Sequence, residues 1–165
     1  MSLVPQKLFD LAGKVLDANR DAGRRIVTAE SCTGGIVAAA LTEHAGSSDV
    51  VQAGFVTYAN QAKSQMLLIP EAMIVAQGAV SENIALAMAK GALDKVKTAD
   101  VAVAITGIAG PGGGTFDKPV GTVWIAKALR RGDVAEAHLH QFDKNGSREE
   151  IRLQAASAAL ELLLP

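Results

Sequence analysis

The first third of the chain alternates between helical and strand-like patterns of apolar residues. Helical spacing opens the chain, at Leu8, Leu11, Val15 and Leu16. Gly23 offers an end to that helix. The run 25–29 is short, apolar and β-branched, and the alanine-rich run 36–41 follows it after two glycines. This order predicts a strand, a tight turn and a helix, as at the start of an α/β domain.

The middle of the chain continues this alternation. The runs 50–58 and 101–105 are rich in residues that favour strands, and the second of them reads as a buried strand. Helices are predicted over 60–68 and 81–96. Pro70 ends the first of these two helices.

The last third predicts a hairpin followed by a terminal helix. Apolar runs over 120–129 and 134–142 flank the turn residues 130–133, which adds an antiparallel pair to the sheet. Ser147 caps a last helix that extends to Leu160. The predicted fold class is therefore α/β, a three-layer α/β/α sandwich with a mixed, mostly parallel sheet.

The composition of the chain argues against some classes of binding partner. The 165 residues are 49% hydrophobic, which predicts a single domain over 1–165, and 17 acidic residues nearly cancel 16 basic ones. This balance argues against a nucleic-acid partner. No apolar stretch reaches the roughly 20 residues that cross a bilayer, and the first residues do not resemble a secretory signal. We expect a cytoplasmic protein with no membrane partner.

Ser31 stands where the predicted strand 25–29 gives way to a helix. A serine at this position caps a helix more often than it attacks a substrate, but the amides of the next helix could also hold an oxyanion or a phosphate there. Both interpretations stay open. The neighbouring Cys32 is the single cysteine, and a buried structural thiol is the favoured interpretation of it over a nucleophile.

A nucleophilic serine needs a base, and two kinds of base are available. The histidines His138 and His140 alternate on one predicted strand and could ligate a metal with Glu136, but a solvated sheet edge is favoured, so no metal site is predicted. Lys63 follows a strand end in the segment "TYANQAK". Burial would lower its pKa and allow it to act as a base, whereas an ordinary exposed helix lysine would not.

The segment "TGIAGPGGGTFDKPVGTV" is the densest in glycine and follows the strand ending at Ile105. Glycine lets the main chain approach a ligand closely. The segment lacks the GK[ST] ending of a mononucleotide loop, and a strand rather than a helix follows it, so neither ATP nor NAD is indicated and no cofactor is expected. Near the end, Arg148 and Arg152 share a helix face and could hold a phosphate or pair with acidic residues.

Five segments, taken together, resemble the CinA C-terminal domain family, whose stand-alone members are nicotinamide-nucleotide amidohydrolases. They are "TAESCTGG", "GFVTYANQAK", "GAVSENIALAMAKGA", "TGIAGPGGGTFDKPVGTV" and "SREEIR". The resemblance spans about Leu8 to Leu160. It implies the same three-layer fold and hydrolysis of the carboxamide of nicotinamide mononucleotide to nicotinate mononucleotide and ammonia.

The resemblance also implies roles for individual residues. Ser31 is the nucleophile and Lys63 its base, and Tyr58 is included among the catalytic residues as a candidate to orient the lysine or the carboxamide. The substrate-binding residues expected from it are Cys32, Thr33, Gly34, Gly35, Asn60, Thr106, Gly107, Gly110 and Arg148. Amides from Cys32 to Gly35 are expected to bind the oxyanion, and Arg148 the 5′-phosphate.

The chain is expected to depart from the family pattern in two respects. The family's usual Gly-Asp-Arg is Gly-Ser-Arg here, at 146–148, and the metal-dependent pyrophosphatase domain of larger relatives is not expected. A small ligand site beside Arg148 makes a homo-oligomer that shares the site plausible. The alternative function is a regulatory module that binds a pyridine nucleotide without hydrolysing it.

Overall fold

The computed structural model describes residues 2–165 and consists of one five-stranded sheet with helices on both faces. In chain order the elements are α1 (Gln6–Asp21), β1 (Ile26–Glu30), α2 (Ile36–Thr42), β2 (Val51–Val56), α3 (Asn60–Leu67), α4 (Glu71–Gln77), α5 (Glu82–Lys95), β3 (Val101–Gly107), β4 (Thr122–Leu129), β5 (Val134–Gln141) and α6 (Arg148–Leu162). No helix within residues 2–165 is both long enough and apolar enough to cross a membrane.

The strands lie in the order β2-β1-β3-β4-β5. β1 pairs in parallel with β2 and with β3, whereas β4 is antiparallel to both β3 and β5. The predicted mixed sheet is therefore confirmed. The parallel strands β1, β2 and β3 end at the same edge of the sheet, so the residues that follow them are brought together there.

Alternating side chains of the central strands build the two halves of the core. In β3, Val103 and Ile105 pack into a cluster with α1, α2 and α6, while Ala102 and Ala104 face a second cluster with α3, α4 and α5. All five residues of β1 are buried. Burial on both faces requires a helical layer on each side, and the predicted three-layer sandwich is confirmed.

The one α-helix within residues 2–165 that the sequence pattern does not predict is α4. The pattern places a break at Pro70 and assigns no element to 71–77, yet Pro70 is the N-cap residue of α4. Proline ends a preceding helix, but it is also well suited to the start of a new one. Among the seven residues of α4 the structure buries Ile74 alone, so the helix has almost no apolar periodicity to reveal it.

Candidate active site

A cavity of about 210 Å³ opens at the carboxyl ends of the parallel strands. Its lining is formed by Ser31, Cys32, Tyr58, Asn60, Lys63, Ala79, Val80, Thr106, Gly107, Ala109 and Arg148. Eight of the twelve residues expected to form the site are among them. The other four, Thr33, Gly34, Gly35 and Gly110, lie next to the cavity in sequence without lining it.

A larger cavity, of about 420 Å³, lies between the start of α1, the middle of α6 and the end of β5. Ser157 supplies its one hydroxyl group, and no base is hydrogen-bonded to that hydroxyl within residues 2–165. We therefore place the candidate active site in the smaller cavity, where a hydroxyl and an amine are in contact.

Ser31 begins the turn that joins β1 to α2. Its backbone amide donates to the carbonyl of Ile105 at 3.0 Å, and its own carbonyl accepts from the amide of Gly34 at 3.0 Å. Gly34 and Gly35 have φ values of 61° and 100°, in the left-handed region that glycine adopts without strain. This turn holds the Ser31 side chain at the wall of the cavity.

Glu30 caps α2, so Ser31 does not. The buried carboxylate of Glu30 accepts hydrogen bonds from the amides of Gly35, Val37 and Ala38 at 3.1, 3.2 and 2.9 Å. These are orphan donors of the first helical turn, which an acidic group near a helix N-terminus satisfies. The hydroxyl of Ser31 is thereby left free for another partner.

The same contacts correct the expected set of oxyanion donors. The amide of Gly35 is bound by Glu30 and that of Gly34 by the Ser31 carbonyl, so neither is free to bind a substrate oxygen. The amides of Cys32 and Thr33 have no acceptor within residues 2–165. Cys32 lines the cavity and Thr33 adjoins it in sequence, so these two unpaired amides are the candidate donors to a substrate oxygen.

Lys63 lies in the first turn of α3 and is almost fully buried, with 1% of its surface exposed. Its Nζ lies 3.0 Å from the Oγ of Ser31, 2.9 Å from the carbonyl oxygen of Thr57 and 3.3 Å from that of Tyr58. No carboxylate within residues 2–165 forms a salt bridge with it. Burial lowers the pKa of Lys63 below the ordinary lysine value, although proximity to Cys32 acts in the opposite direction.

The three partners of the Lys63 amine suit both of its protonation states: the ammonium can donate to all three oxygens, and the neutral amine can donate to the two carbonyls and accept the proton of the hydroxyl. A neutral amine has two N–H bonds and one lone pair, and two of the three partners are carbonyl oxygens, which can only accept. The third partner is a hydroxyl, which can donate its proton to the lone pair. This arrangement suits a base that receives a proton from Ser31.

Cys32 is buried beside this pair. The pKa of its thiol is raised to about 11, chiefly by burial; the charge of Glu30 also raises it, and that of Arg152 lowers it. Because the thiolate is the reactive form of a cysteine, this thiol is a poor nucleophile near neutral pH.

Arg148 joins the glycine-rich segment to Tyr58. Its Nη1 donates to the carbonyl of Gly110 at 2.6 Å, and its Nη2 donates to the Tyr58 hydroxyl at 2.8 Å. The Tyr58 side chain therefore contacts Arg148, while its hydrogen bond with Lys63 comes from the backbone carbonyl. The backbone of Tyr58, and not its side chain, thus contacts the lysine, and orientation of the carboxamide by its side chain stays a prediction.

Thr106 and Gly107 complete the wall of the cavity. The Oγ1 of Thr106 donates to the carbonyl of Ala79 at 2.8 Å, which fixes the loop that brings Ala79 and Val80 to the site. A Cβ on Gly107 would lie 2.6 Å from the Cγ2 of Val123, so this position has no room for a side chain. Asn60 lines the cavity from the start of α3.

Arg152 is a residue near the site whose role the sequence did not reveal. Its Nε donates to the carbonyl of Cys32 and its Nη2 to that of Thr33, both at 3.1 Å. Its position one helical turn after Arg148 predicts that the two side chains share a helix face. It does not predict that the Arg152 guanidinium binds backbone carbonyls. The sequence pattern also does not predict the capping role of Glu30, although a carboxylate at the end of a strand that precedes a helix is a recognisable signal.

The histidines of β5 contact a carboxylate and an aromatic ring. Within residues 2–165 there is no group of three or more His, Cys, Asp or Glu side chains that could hold a metal ion. His138 lies 3.3 Å from Glu136, and His140 stacks on Phe142 with a centroid separation of 5.6 Å. His138 and His140 both lie on β5, the strand at one edge of the sheet.

The fold and the site together define a three-layer α/β domain with a buried serine–lysine pair at the ends of its parallel strands. Comparison with known families identifies it further. The chain belongs to the CinA C-terminal domain family, whose model matches residues 8–165.

Relatives of two different chain lengths match this protein. It is 46% identical over 161 residues to "Nicotinamide-nucleotide amidohydrolase PncC" of Escherichia coli K12, with 98% of this chain and 95% of that protein aligned. It is 49% identical over 158 residues to a "CinA-like protein" of Mycolicibacterium paratuberculosis, with 95% of this chain aligned. The chain spans about a third of that relative's length, 35%.

Solved structures show the same fold. The crystal structure of competence/damage inducible protein CihA from Agrobacterium tumefaciens superposes with a TM-score of 0.93 at 47% identity, covering 99% of this chain and 97% of that one. A CinA superfamily protein from Escherichia coli superposes with a TM-score of 0.89 at 34% identity, covering 98% and 92%.

Proposed function

We propose that this protein hydrolyses the carboxamide of nicotinamide mononucleotide, with Ser31 as nucleophile and Lys63 as base. The observation that carries the proposal is the buried Lys63 amine, 3.0 Å from the Ser31 hydroxyl and without an ion-pair partner within residues 2–165. The name of the Escherichia coli relative, a nicotinamide-nucleotide amidohydrolase of nearly equal length, supports the choice of substrate.

In the first half of the reaction, neutral Lys63 takes the proton of the Ser31 hydroxyl as its Oγ attacks the carboxamide carbon. The carbonyl oxygen becomes an oxyanion, for which the amides of Cys32 and Thr33 are the candidate donors. The C–N bond then breaks, and Lys63 returns the proton to the departing nitrogen, which leaves as ammonia. Ser31 is left esterified by the nicotinoyl group of the nucleotide.

The second half replaces ammonia by water. Lys63, neutral again, takes a proton from a water molecule as its oxygen attacks the ester carbon. Collapse of the intermediate breaks the ester bond, and the proton on Lys63 passes back to the Oγ of Ser31. The product is nicotinate mononucleotide, and no redox cofactor takes part in any step.

Arg148 is the candidate group for the 5′-phosphate of the substrate. Its two hydrogen-bond partners, a carbonyl and a phenolic hydroxyl, are neutral, so its positive charge is not cancelled by a carboxylate within residues 2–165. A guanidinium of this kind binds phosphate well. We further propose that the protein acts in the cytoplasm as a homo-oligomer whose subunits share the site near Arg148.

The test is ammonia release from nicotinamide mononucleotide, nicotinamide and NAD, each with and without a chelator. We expect release from the mononucleotide and the same rate with chelator, because Lys63 rather than a metal activates the hydroxyl. Calorimetric binding of the mononucleotide without ammonia release would contradict the proposal and support a non-catalytic binding module. Release from nicotinamide alone would show that the substrate assignment is wrong.

A further inference from the structure

The two arginines of α6 hold the two loops that border the cavity. Arg148 binds the carbonyl of Gly110 in the glycine-rich segment, and Arg152 binds the carbonyls of Cys32 and Thr33 in the turn that carries Ser31. Because the two side chains are one helical turn apart, α6 fixes both loops from the same face. Arg152 and Cys32 are 120 positions apart in the sequence.

Arg152 contacts the side of the Cys32–Thr33 peptide that is opposite to its free N–H. Gly110-Pro111 is the one cis peptide bond within residues 2–165, so the peptide linking Cys32 to Thr33 is trans. In a trans peptide the carbonyl and the N–H point in opposite directions. The guanidinium on the Cys32 carbonyl thus lies on one side, and the unpaired Thr33 amide points to the other.

A charged donor on a carbonyl has a second effect. It polarises the peptide group and increases the positive charge on the N–H of the same group, as in chains of cooperative hydrogen bonds. The Thr33 amide is therefore a stronger donor while Arg152 is bound to Cys32. The start of α2, which follows the turn, is held by Glu30, which binds the amides of Gly35, Val37 and Ala38.

We infer that Arg152 is a positioning residue for the proposed amidohydrolase reaction: it fixes the Ser31 turn so that the free amides of Cys32 and Thr33 stay aligned as oxyanion donors. This inference rests on the proposed function. A phosphate-binding role for Arg152 is a different proposal. Here the Nε and Nη2 of Arg152 both donate to backbone carbonyls.

Arg130 provides a matched control. Its guanidinium also donates to backbone carbonyls, those of Ala99, Leu93 and Val96, at 2.8, 2.6 and 3.1 Å. It follows the end of β4, which pairs with the start of β3, at the edge of the sheet opposite the cavity. Arg130→Ala therefore removes three contacts of the same kind, against the two of Arg152, without touching the site.

The first measurement separates positioning from substrate binding. Arg152→Ala should lower kcat by about 10- to 100-fold, less than the roughly 10²- to 10³-fold cost of deleting an oxyanion donor. In a Ser31→Ala background, it should change the calorimetric Kd of nicotinamide mononucleotide by less than about twofold. A rise in Kd that matches the loss of kcat/KM would overturn the inference.

The second measurement is chemical rescue. Millimolar guanidinium should restore part of the activity of Arg152→Ala and leave Arg130→Ala unchanged. Arg152→Lys, whose single ammonium cannot span both carbonyls in the fork geometry of arginine, should fall between wild type and Arg152→Ala. An Arg152→Ala enzyme no slower than Arg130→Ala would show that Arg152 has no positioning role.

A fluorophosphonate probe tests the inference independently of the substrate. In this reaction the Ser31 Oγ forms a bond to phosphorus, fluoride leaves, and Lys63 takes the serine proton. Intact-mass analysis gives the labelling rate, which we expect to be lower in Arg152→Ala and restored by guanidinium. If the wild type releases no ammonia but this pattern holds, the proposed substrate is wrong and the positioning role stands. Equal labelling of folded Arg152→Ala and wild type would overturn the positioning role.

Discussion

The Nζ of Lys63 lies 3.0 Å from the Oγ of Ser31, and both groups are buried. The contact depends on the parallel pairing of β1 with β2. Ser31 directly follows β1, and Lys63 lies in the helix that follows β2. The sheet therefore brings a hydroxyl and an amine together in surroundings where a lysine loses its proton more readily than in water.

Replacing Ser31 should abolish the reaction, while replacing Cys32 should not. We expect Ser31→Ala to lower kcat by at least about 10³-fold, as the loss of a nucleophile does elsewhere. Cys32→Ala keeps the backbone amide and should cost less than about tenfold, since burial raises the pKa of the thiol to about 11 and keeps it protonated. Ammonia release measures both. The opposite ranking would make Cys32 the nucleophile.

Tyr58→Phe should affect substrate binding more than chemistry. The change removes the hydroxyl that accepts from Arg148 at 2.8 Å and leaves the backbone carbonyl bound to Lys63. We expect KM to rise by about 2- to 10-fold, the worth of one hydrogen bond, with a smaller change in kcat. A loss of turnover of about two orders of magnitude at unchanged KM would instead place the hydroxyl in the catalytic step.

Glu30→Gln should destabilise the fold. A carboxylate offers acceptors only, whereas a glutamine amide would direct N–H donors at the amides of α2. We expect the free energy of unfolding in urea to fall by about 1–3 kcal/mol. Glu136→Gln, on the surface of β5, is the control and should cost less than about 1 kcal/mol. Equal losses in the two variants would mean that the cap contributes little.

Burial of the Lys63 amine should make folding stability depend on pH. Between its lowered folded pKa and the unfolded lysine value of about 10.4, the unfolded chain binds more protons than the folded one, so stability rises with pH in that window. Lys63→Met lacks this dependence. The free energy of unfolding of wild type minus that of Lys63→Met should therefore increase towards pH 10.4, by about 1.4 kcal/mol for each unit of pKa shift.

A difference between wild type and Lys63→Met that stays flat over this range would contradict a lowered pKa. Lys90→Met is the control. Lys90 is an exposed lysine on α5, so its replacement removes a lysine without removing a buried amine.

The sequence predicts the fold well because apolar periodicity reports burial. β1 and β3 are buried along nearly their whole lengths, and α1 buries one face, so these elements are visible as runs and repeats. α4 buries a single residue among those described and leaves no such pattern. Spacing alone could not indicate it.

The site is predicted in part for a comparable reason. The resemblance of the segments around Ser31 and Lys63 to a known family identifies both residues as candidates. Contacts between residues far apart in the chain cannot be predicted from the spacing of residues. The contact between Arg152 and the Cys32 carbonyl joins residues 120 positions apart. The backbone amides taken by Glu30 likewise depend on where the first turn of α2 lies, which only coordinates establish.

The most direct test of the account is the pKa of the Lys63 amine itself. Titration of protein labelled with ¹³C and ¹⁵N in lysine, followed by NMR at the Cε and Nζ of residue 63 and assigned with Lys63→Met, measures it without reference to any substrate. We predict a pKa below the ordinary lysine value of about 10.4. The rising, acidic limb of the pH profile for kcat/KM should give the same pKa. A pKa at or above that value would mean that Lys63 stays charged at neutral pH and cannot take the proton of Ser31.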